Sequence, residues 1–401
     1  MSTGSATGPM RGVRILDLSI ALTGPYAAAL LGDQGAEVVK VERPGIGDIA
    51  RWVGVAVNGV SALFHMCNRG KQSIAVDLHR PEGQALVRRL AAGCDVVVQN
   101  FRPGVTERLG LGYDTLSAGR DDLIYVSISG FGPEGPYAHK GAYDTVIQAY
   151  GGLATSQADP DTGRPHFLNQ TAADKITAMY AVQAITAALF ARERGAGGQH
   201  IQLSMLDSVA SFLWSDAAGN EVLTESDKSM PSSFVNNFAP FEFTDGWGIC
   251  TPTSDADFAG MCRAFGVAGP DVDSIADIRA RRANPLVSRA VMQRCYEVAT
   301  HLTLAEGIGR LEAENVPCGK VLSPAQLVDD PHALAIEMFD EIDHPLAGRV
   351  RRPRHPAQFT GTPAAIGGAC PALGEHTDAV LADLGLGADE IAALRSDGVV
   401  A

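Results

Sequence analysis

The 401-residue chain has no apolar run near the roughly 18 residues that a membrane span requires. It has no basic excess either: 32 lysines and arginines stand against 46 aspartates and glutamates, a formal charge of −14. A duplex-binding face usually leaves a basic surplus, and an acidic surface does not attract anionic lipid. Neither nucleic acid nor a membrane is therefore expected as a partner. No basic segment followed by an apolar one opens the chain, so no signal peptide is read and a cytoplasmic setting is expected. Cysteines are few and show no pairing pattern. Cys67, Cys94, Cys250, Cys262, Cys295, Cys318 and Cys370 are odd in number, with no C-x-x-C and no Cys/His cluster at zinc spacing. They read as buried, reduced thiols, and no metal is expected.

Several catalytic signatures are also missing. There is no G-x-x-x-x-G-K-[ST] phosphate loop, no H-E-x-x-H and no G-x-S-x-G elbow. One stretch, GFGPEG at Gly130–Gly135, matches G-x-G-x-x-G. A dinucleotide site would need it to open a helix, and Pro133 and Pro136 oppose that. It reads as a turn-rich loop.

What is present is an ordinary globular balance, 46% apolar and 19% charged, and enough length for two domains. In the first two hundred residues, short apolar runs alternate with helical patterns. VRILDLS (13–19), EVVKVE (37–42), DVVVQN (95–100) and LIYVSIS (123–129) read as strands. PYAAALLGDQGA, RPEGQALVRRLAAGC and a long segment from about 171 to 194 read as helices. This alternation predicts the α/β class, with a mostly parallel sheet covered on both faces and a ligand site at the strands' carboxyl ends. Residues 1–215 are assigned to this large domain. A smaller α+β domain is expected at 225–325, with a hairpin turn at Asp245–Gly246. Residues 330–401 are expected to return to the large domain.

Cations and glycines recur on the loops that follow the strands. Arg43 lies past the second, Arg69 and Lys71 lie in MCNRGKQSIAVDL, Asn100, Arg102 and Arg108 follow the third, and Lys140, Tyr143 and Asp144 follow the fourth. Each cation alone is an ordinary surface charge; together they imply an anionic, nucleotide-like ligand. Asp174, in the first turn of the long helix, has two readings. It completes a capping box with Thr171, or it does chemistry. Ala172, Ala173, Ile176, Ala178 and Met179 around it suit either a tight apolar pocket or plain core.

RILDLSIALTGPYAAALLGDQGAEVVKVERPGIGD, CNRGKQSIAVDL, VVVQNFRPGVTERLGLGYDTL, LIYVSISGFGPEGP, YDTVIQAYGGL, VPCGKVLS and LGEHTDAVLADLGL occur in this order. With them the chain resembles the class III coenzyme A transferases, which include formyl-CoA and carnitine-CoA transferases and have the α-methylacyl-CoA racemases as relatives. The resemblance implies a Rossmann-like large domain, a small domain, and a ring-like chain interlocked with a second copy as a homodimer. It implies Asp174 as nucleophile, Tyr143 in the substrate pocket, and Asp144 as a neighbour orienting or tuning Asp174. It also implies that Arg43, Lys71, Asn100, Phe101, Val105 and Arg108 contact coenzyme A, which is a substrate rather than a permanently bound cofactor; Lys140, on the loop after the fourth strand, is expected to join them. There are two departures. Leu22 stands where oxalate-handling members have Gln, and the glycine-rich loop of some members is not recognisable in SSFVNNFAPFEF. Both favour a more apolar acyl group than oxalate or formate.

The implied reaction moves coenzyme A from an acyl-CoA donor to a carboxylic acid acceptor through an aspartyl anhydride and an aspartyl-CoA thioester, without ATP or metal. A racemase is the alternative within the family. It needs an acid/base pair, and the racemases' His–Asp stands here as Tyr143–Asp144, with a phenol, a poor acid/base substitute near neutrality, in place of an imidazole. A non-catalytic acyl-CoA-binding protein is the alternative of another class.

Overall fold

The computed structural model describes residues 7–226 and 239–401. They divide into two units, one made of 7–215 with Glu337–Ala401 and one of Asp216–Ile336.

The first unit is built on six parallel strands: β1 (Arg14–Asp17), β2 (Glu37–Glu42), β3 (Gln72–Ala75), β4 (Val96–Gln99), β5 (Ile124–Ser129) and β6 (Gln199–Ser204). Their order is β3-β2-β1-β4-β5-β6, every pairing parallel. Period-two alternation sends Val96 and Val98 to one core and Val97 to the other. Both cores are closed by helices, which is why the strands read as near-continuous apolar runs. On one face lie α1 (Thr23–Asp33), α4 (Ala172–Ala191) and α5 (Met205–Leu213), with Ala27, Ala28, Leu31, Ala178, Ile185 and Val209 buried against Ile15, Val96 and Ile124. On the other lie α2 (Pro81–Ala92) and the C-terminal helices Thr377–Asp383 and Ala388–Ser396. The short α3 (Asp144–Tyr150) follows the β5 loop.

The strands expected from sequence are present, with ends differing by at most two residues, and β3 and β6 are additional. The four residues of β3, QSIA, are too short to display a period and sit in a segment read as loop. The tail pairs with this edge: the His376 amide donates to Ser73 O (2.9 Å) and the Ala401 amide to Ala75 O (3.1 Å).

The second unit has a three-stranded antiparallel sheet, Cys318–Lys320, Gly246–Cys250 and Phe241–Phe243, with helices Asp255–Ala264, Pro285–Ala299 and Leu304–Ala313. Phe243 pairs with Gly246, so the hairpin turn is Thr244–Asp245, one residue earlier than Asp245–Gly246. The Asp245 side chain instead accepts the Leu304 amide (2.6 Å) at a helix start. Most of SSFVNNFAPFEF, including 232–238, lies outside the described residues.

Candidate active site

Strand order reverses at β1: the chain runs outward through β2 and β3, then crosses to β4 on the other side. The crevice at such a reversal is where open α/β sheets hold ligands. The loops after β1 and β4 meet there. Asn100 accepts the Ile20 amide at Oδ1 (2.8 Å) and donates from Nδ2 to Ile20 O (2.8 Å). Asp48 accepts the Ala21 amide (2.9 Å), and Lys40 donates to Ser19 O (2.8 Å). Ala21 is held at φ 66, a left-handed conformation that an alanine keeps only when its surroundings over-determine it. Gly24 is required by packing, because a Cβ there would lie 2.4 Å from Ser19 Oγ. The clamped loop delivers Thr23, buried at the start of α1, to the far side of the crevice.

Asp174 is what Thr23 meets. The Thr23 hydroxyl donates to Asp174 Oδ1 across 151 positions of sequence. The capping box with Thr171 does not form, since the Thr171 side chain makes no capping hydrogen bond. The first turn of α4 is capped from another element, with Asp144 Oδ2 accepting the Asp174 amide (3.1 Å). Asp144, 6% exposed, is fixed by Gln148 (2.5 Å). Gln148 also binds Gln170 O (3.0 Å) and the Leu168 amide (3.0 Å), anchoring the segment that enters α4. Burial pushes the Asp174 carboxyl up to about 6; the Thr23 hydrogen bond opposes the rise and the Asp144 charge adds to it. Asp174 is thus ionised near neutrality but poorly solvated, and its Oδ2 accepts no hydrogen bond among the described residues. Such a carboxylate is suited to attack. Of its neighbours, Ala172, Ala173 and Ala178 are core and Ile176 is partly buried, while Met179 is exposed.

The other expected residues separate into two groups. Arg43, Arg108 and Lys140 are exposed, on loops after β2, β4 and β5. Among the described residues no carboxylate pairs with them, whereas Lys140 bonds the Tyr150 hydroxyl and lies 4.4 Å from that ring's centroid. Phe101 and Val105 are partly buried at the start of the β4 loop. Tyr143 is 79% exposed and precedes α3 directly. Lys71 is the correction. It is 3% exposed, and its ammonium donates to Asp17 Oδ2 (2.7 Å), Pro25 O (2.8 Å) and Asn68 Oδ1 (2.9 Å). All three donors are spent inside the fold, so none is left for a phosphate. Asn100 likewise commits its amide to Ile20. Sequence reasoning missed Thr23 and Gln148, because nothing local ties either to Asp174.

One constellation could suggest a metal. His65, His344 and Cys370, all buried, bring ligand atoms within 4.8 Å of one another. His344 Nδ1, however, accepts the Leu346 and Ala347 amides (3.1 and 3.2 Å), which leaves the proton of the neutral ring on Nε2, 3.4 Å from Cys370 Sγ. A metal at Nε2 would have to displace that proton from a ring whose other nitrogen is already an acceptor. Burial pushes the Cys370 thiol up to about 12. The pair fits a hydrogen bond better than a metal site.

Comparison with known proteins identifies the family. Residues 10–377 match CoA-transferase family III. The chain is 33% identical to a succinate–glutarate CoA-transferase of Agrobacterium fabrum over 94% of this chain and 96% of that one. It is 30% identical to a succinyl-CoA–D-citramalate CoA-transferase of Chloroflexus aurantiacus over the full length of both. A crystal structure of a CAIB/BAIF family protein from Brucella suis superposes with a TM-score of 0.80 at 33% identity, over 94% of this chain and 100% of that one. With the family match spanning both units and full-length relatives that are themselves CoA-transferases, the chain belongs to CoA-transferase family III and is an enzyme of that class.

Proposed function

We propose that the chain transfers coenzyme A from an acyl-CoA donor to a carboxylic acid, with Asp174 as the covalent relay. The observation that carries this reading is the Asp174 carboxylate itself: its pKa is raised to about 6, and it is held through one oxygen by Thr23, with no hydrogen bond to the other among the described residues. Asp174 attacks the donor thioester, giving a mixed anhydride and coenzyme A thiolate. The thiolate attacks the aspartyl carbonyl, releases the donor acid and leaves an aspartyl-CoA thioester. The acceptor carboxylate and the returned thiolate then reverse these steps, so one thioester replaces another and the exchange is close to balanced. Asp144 orients α4 through the Asp174 amide. Exposed Arg43, Arg108 and Lys140 meet the phosphates of coenzyme A, and Tyr143 faces the acyl group.

Relatives named for succinate, glutarate and D-citramalate make a succinyl-class donor the first to test, set against the more apolar acyl group that Leu22 favours. The working unit is taken as an interlocked homodimer. Seven unpaired thiols, six of them buried, suit a reducing, cytoplasmic setting. The test is a panel of acyl-CoA donors against carboxylic acids, with product CoA esters read by mass. New CoA esters without deuterium incorporation from solvent support transfer. Deuterium washed into the α-carbon with no exchange of acids identifies a racemase and overturns the proposal.

A further inference from the structure

We infer that Thr23 is a catalytic residue: its hydroxyl is the hydrogen-bond donor to the oxyanion that forms on Asp174's own carboxyl carbon during the two inner steps of the exchange. The inference rests on Asp174 being the nucleophile, and concerns an atom that reading leaves unassigned.

The two carboxylate oxygens of Asp174 are not equivalent. Oδ1 accepts the Thr23 hydroxyl and Oδ2 accepts nothing among the described residues. The free oxygen forms the new bond to the donor's carbonyl carbon, whose bond to sulfur breaks, so Oδ2 becomes the bridge of the anhydride. Oδ1 then becomes the aspartyl carbonyl oxygen and keeps its contact with Thr23. When coenzyme A thiolate adds to Cγ, the electron pair of the C=O bond moves onto Oδ1. Its return expels the donor carboxylate with Oδ2 and leaves the aspartyl-CoA thioester. When the acceptor carboxylate adds to Cγ, the pair moves onto Oδ1 again and its return expels the thiolate. In both passages Oδ1 goes from a neutral carbonyl to a full anion, and a hydrogen bond that strengthens in this way lowers the barrier. No proton is gained or lost and no co-reactant is needed.

The position of the donor is fixed in advance. Thr23 is buried, its loop is clamped by Asn100, Asp48 and Lys40, and α1, which it begins, packs on α4. The β-branched side chain has few rotamers to search. The Asp144 carboxylate on the other side of the α4 terminus fixes the Asp174 backbone, so donor and acceptor are held from independent elements. A donor that needs no reorganisation as charge develops is what such a step requires.

The experiment is rapid quench of the full-length enzyme with an acyl-CoA donor and no acceptor, following the aspartyl-CoA adduct by intact mass. Wild type, Thr23→Val and Thr23→Ser are compared, and acyl-CoA binding is measured on each as a check of fold. Valine keeps the shape and removes the donor. It should slow adduct formation about 100- to 1,000-fold, with the dissociation constant for acyl-CoA changed less than about threefold. Serine should restore the rate to within about tenfold of wild type. The loss should persist on the alkaline plateau of the pH profile. Recovery there would mean that Thr23 only helps Asp174 ionise, and would overturn the inference. A Thr23→Val enzyme at wild-type rate, or valine and serine variants equally slow, would overturn it as well. An absent adduct in wild type would instead remove the aspartyl relay itself.

Discussion

At the scale of the residue, the proposed relay asks Asp174 to turn a helix-capping position into a reactive one. Its amide takes the cap from Asp144, which leaves its own carboxylate free to turn toward Thr23. The consequence for pH follows from burial. A nucleophile whose pKa is pushed up to about 6 must be ionised to attack, so kcat/KM should fall as pH drops through about 6 rather than through the ordinary aspartate range near 4. The stability consequence has the opposite sense from a salt-bridged aspartate. The folded-state pKa lies above the unfolded value, so the favourable contribution is present when the group is protonated and is lost as pH rises through about 6. At pH 7.5, Asp174→Asn should therefore raise stability, by about 1–3 kcal/mol, while transfer stops. Urea midpoints at pH 7.5 and 5 check this. A simple cap would instead lose a few tenths to about 1 kcal/mol on the same change and keep its activity.

At the scale of the element, the strand-end loops show what was legible in sequence and what was not. The alternation of apolar runs and helical patterns gave the parallel sheet and the edge where its loops gather, because burial on both faces leaves a local trace. The short edge strand β3 and the bond between Thr23 and Asp174 left none, since one lacks the length for a period and the other joins distant segments. Lys71 was misread for a related reason. A cation on a strand-end loop looks the same in sequence whether it faces a ligand or the interior. Here it faces Asp17, with Lys40 bound to Asp48 nearby (2.8 Å), in a buried network that braces the β1 end. Removing one partner of a buried pair leaves an uncompensated charge. Lys71→Met should thus destabilise the fold by about 3–5 kcal/mol. Arg108→Ala should leave stability within about 0.5 kcal/mol and weaken acyl-CoA binding roughly 10- to 150-fold. Parallel urea melts and binding titrations separate the two roles. A Lys71→Met enzyme with unchanged stability and weakened binding would return Lys71 to the ligand site.

At the scale of the whole molecule, the segment after β2 exposes several large apolar side chains. Trp52 is 69% exposed and Val55 78%, with Ile46, Ile49, Val53 and Val57 also at the surface. Close together in sequence, these side chains are where a second copy would be expected to pack in the proposed homodimer. If the chains interlock, dilution to nanomolar concentration should leave a folded dimer in sedimentation, because separation would require unfolding. A folded monomer would contradict that architecture. The central claim, that coenzyme A passes through the protein on one carboxylate, is tested most directly by trapping. Hydroxylamine added during turnover with an acyl-CoA donor, followed by peptide mass mapping, should convert Asp174 and no other acidic residue to a hydroxamate. Turnover at full rate with Asp174 unmodified would contradict the account.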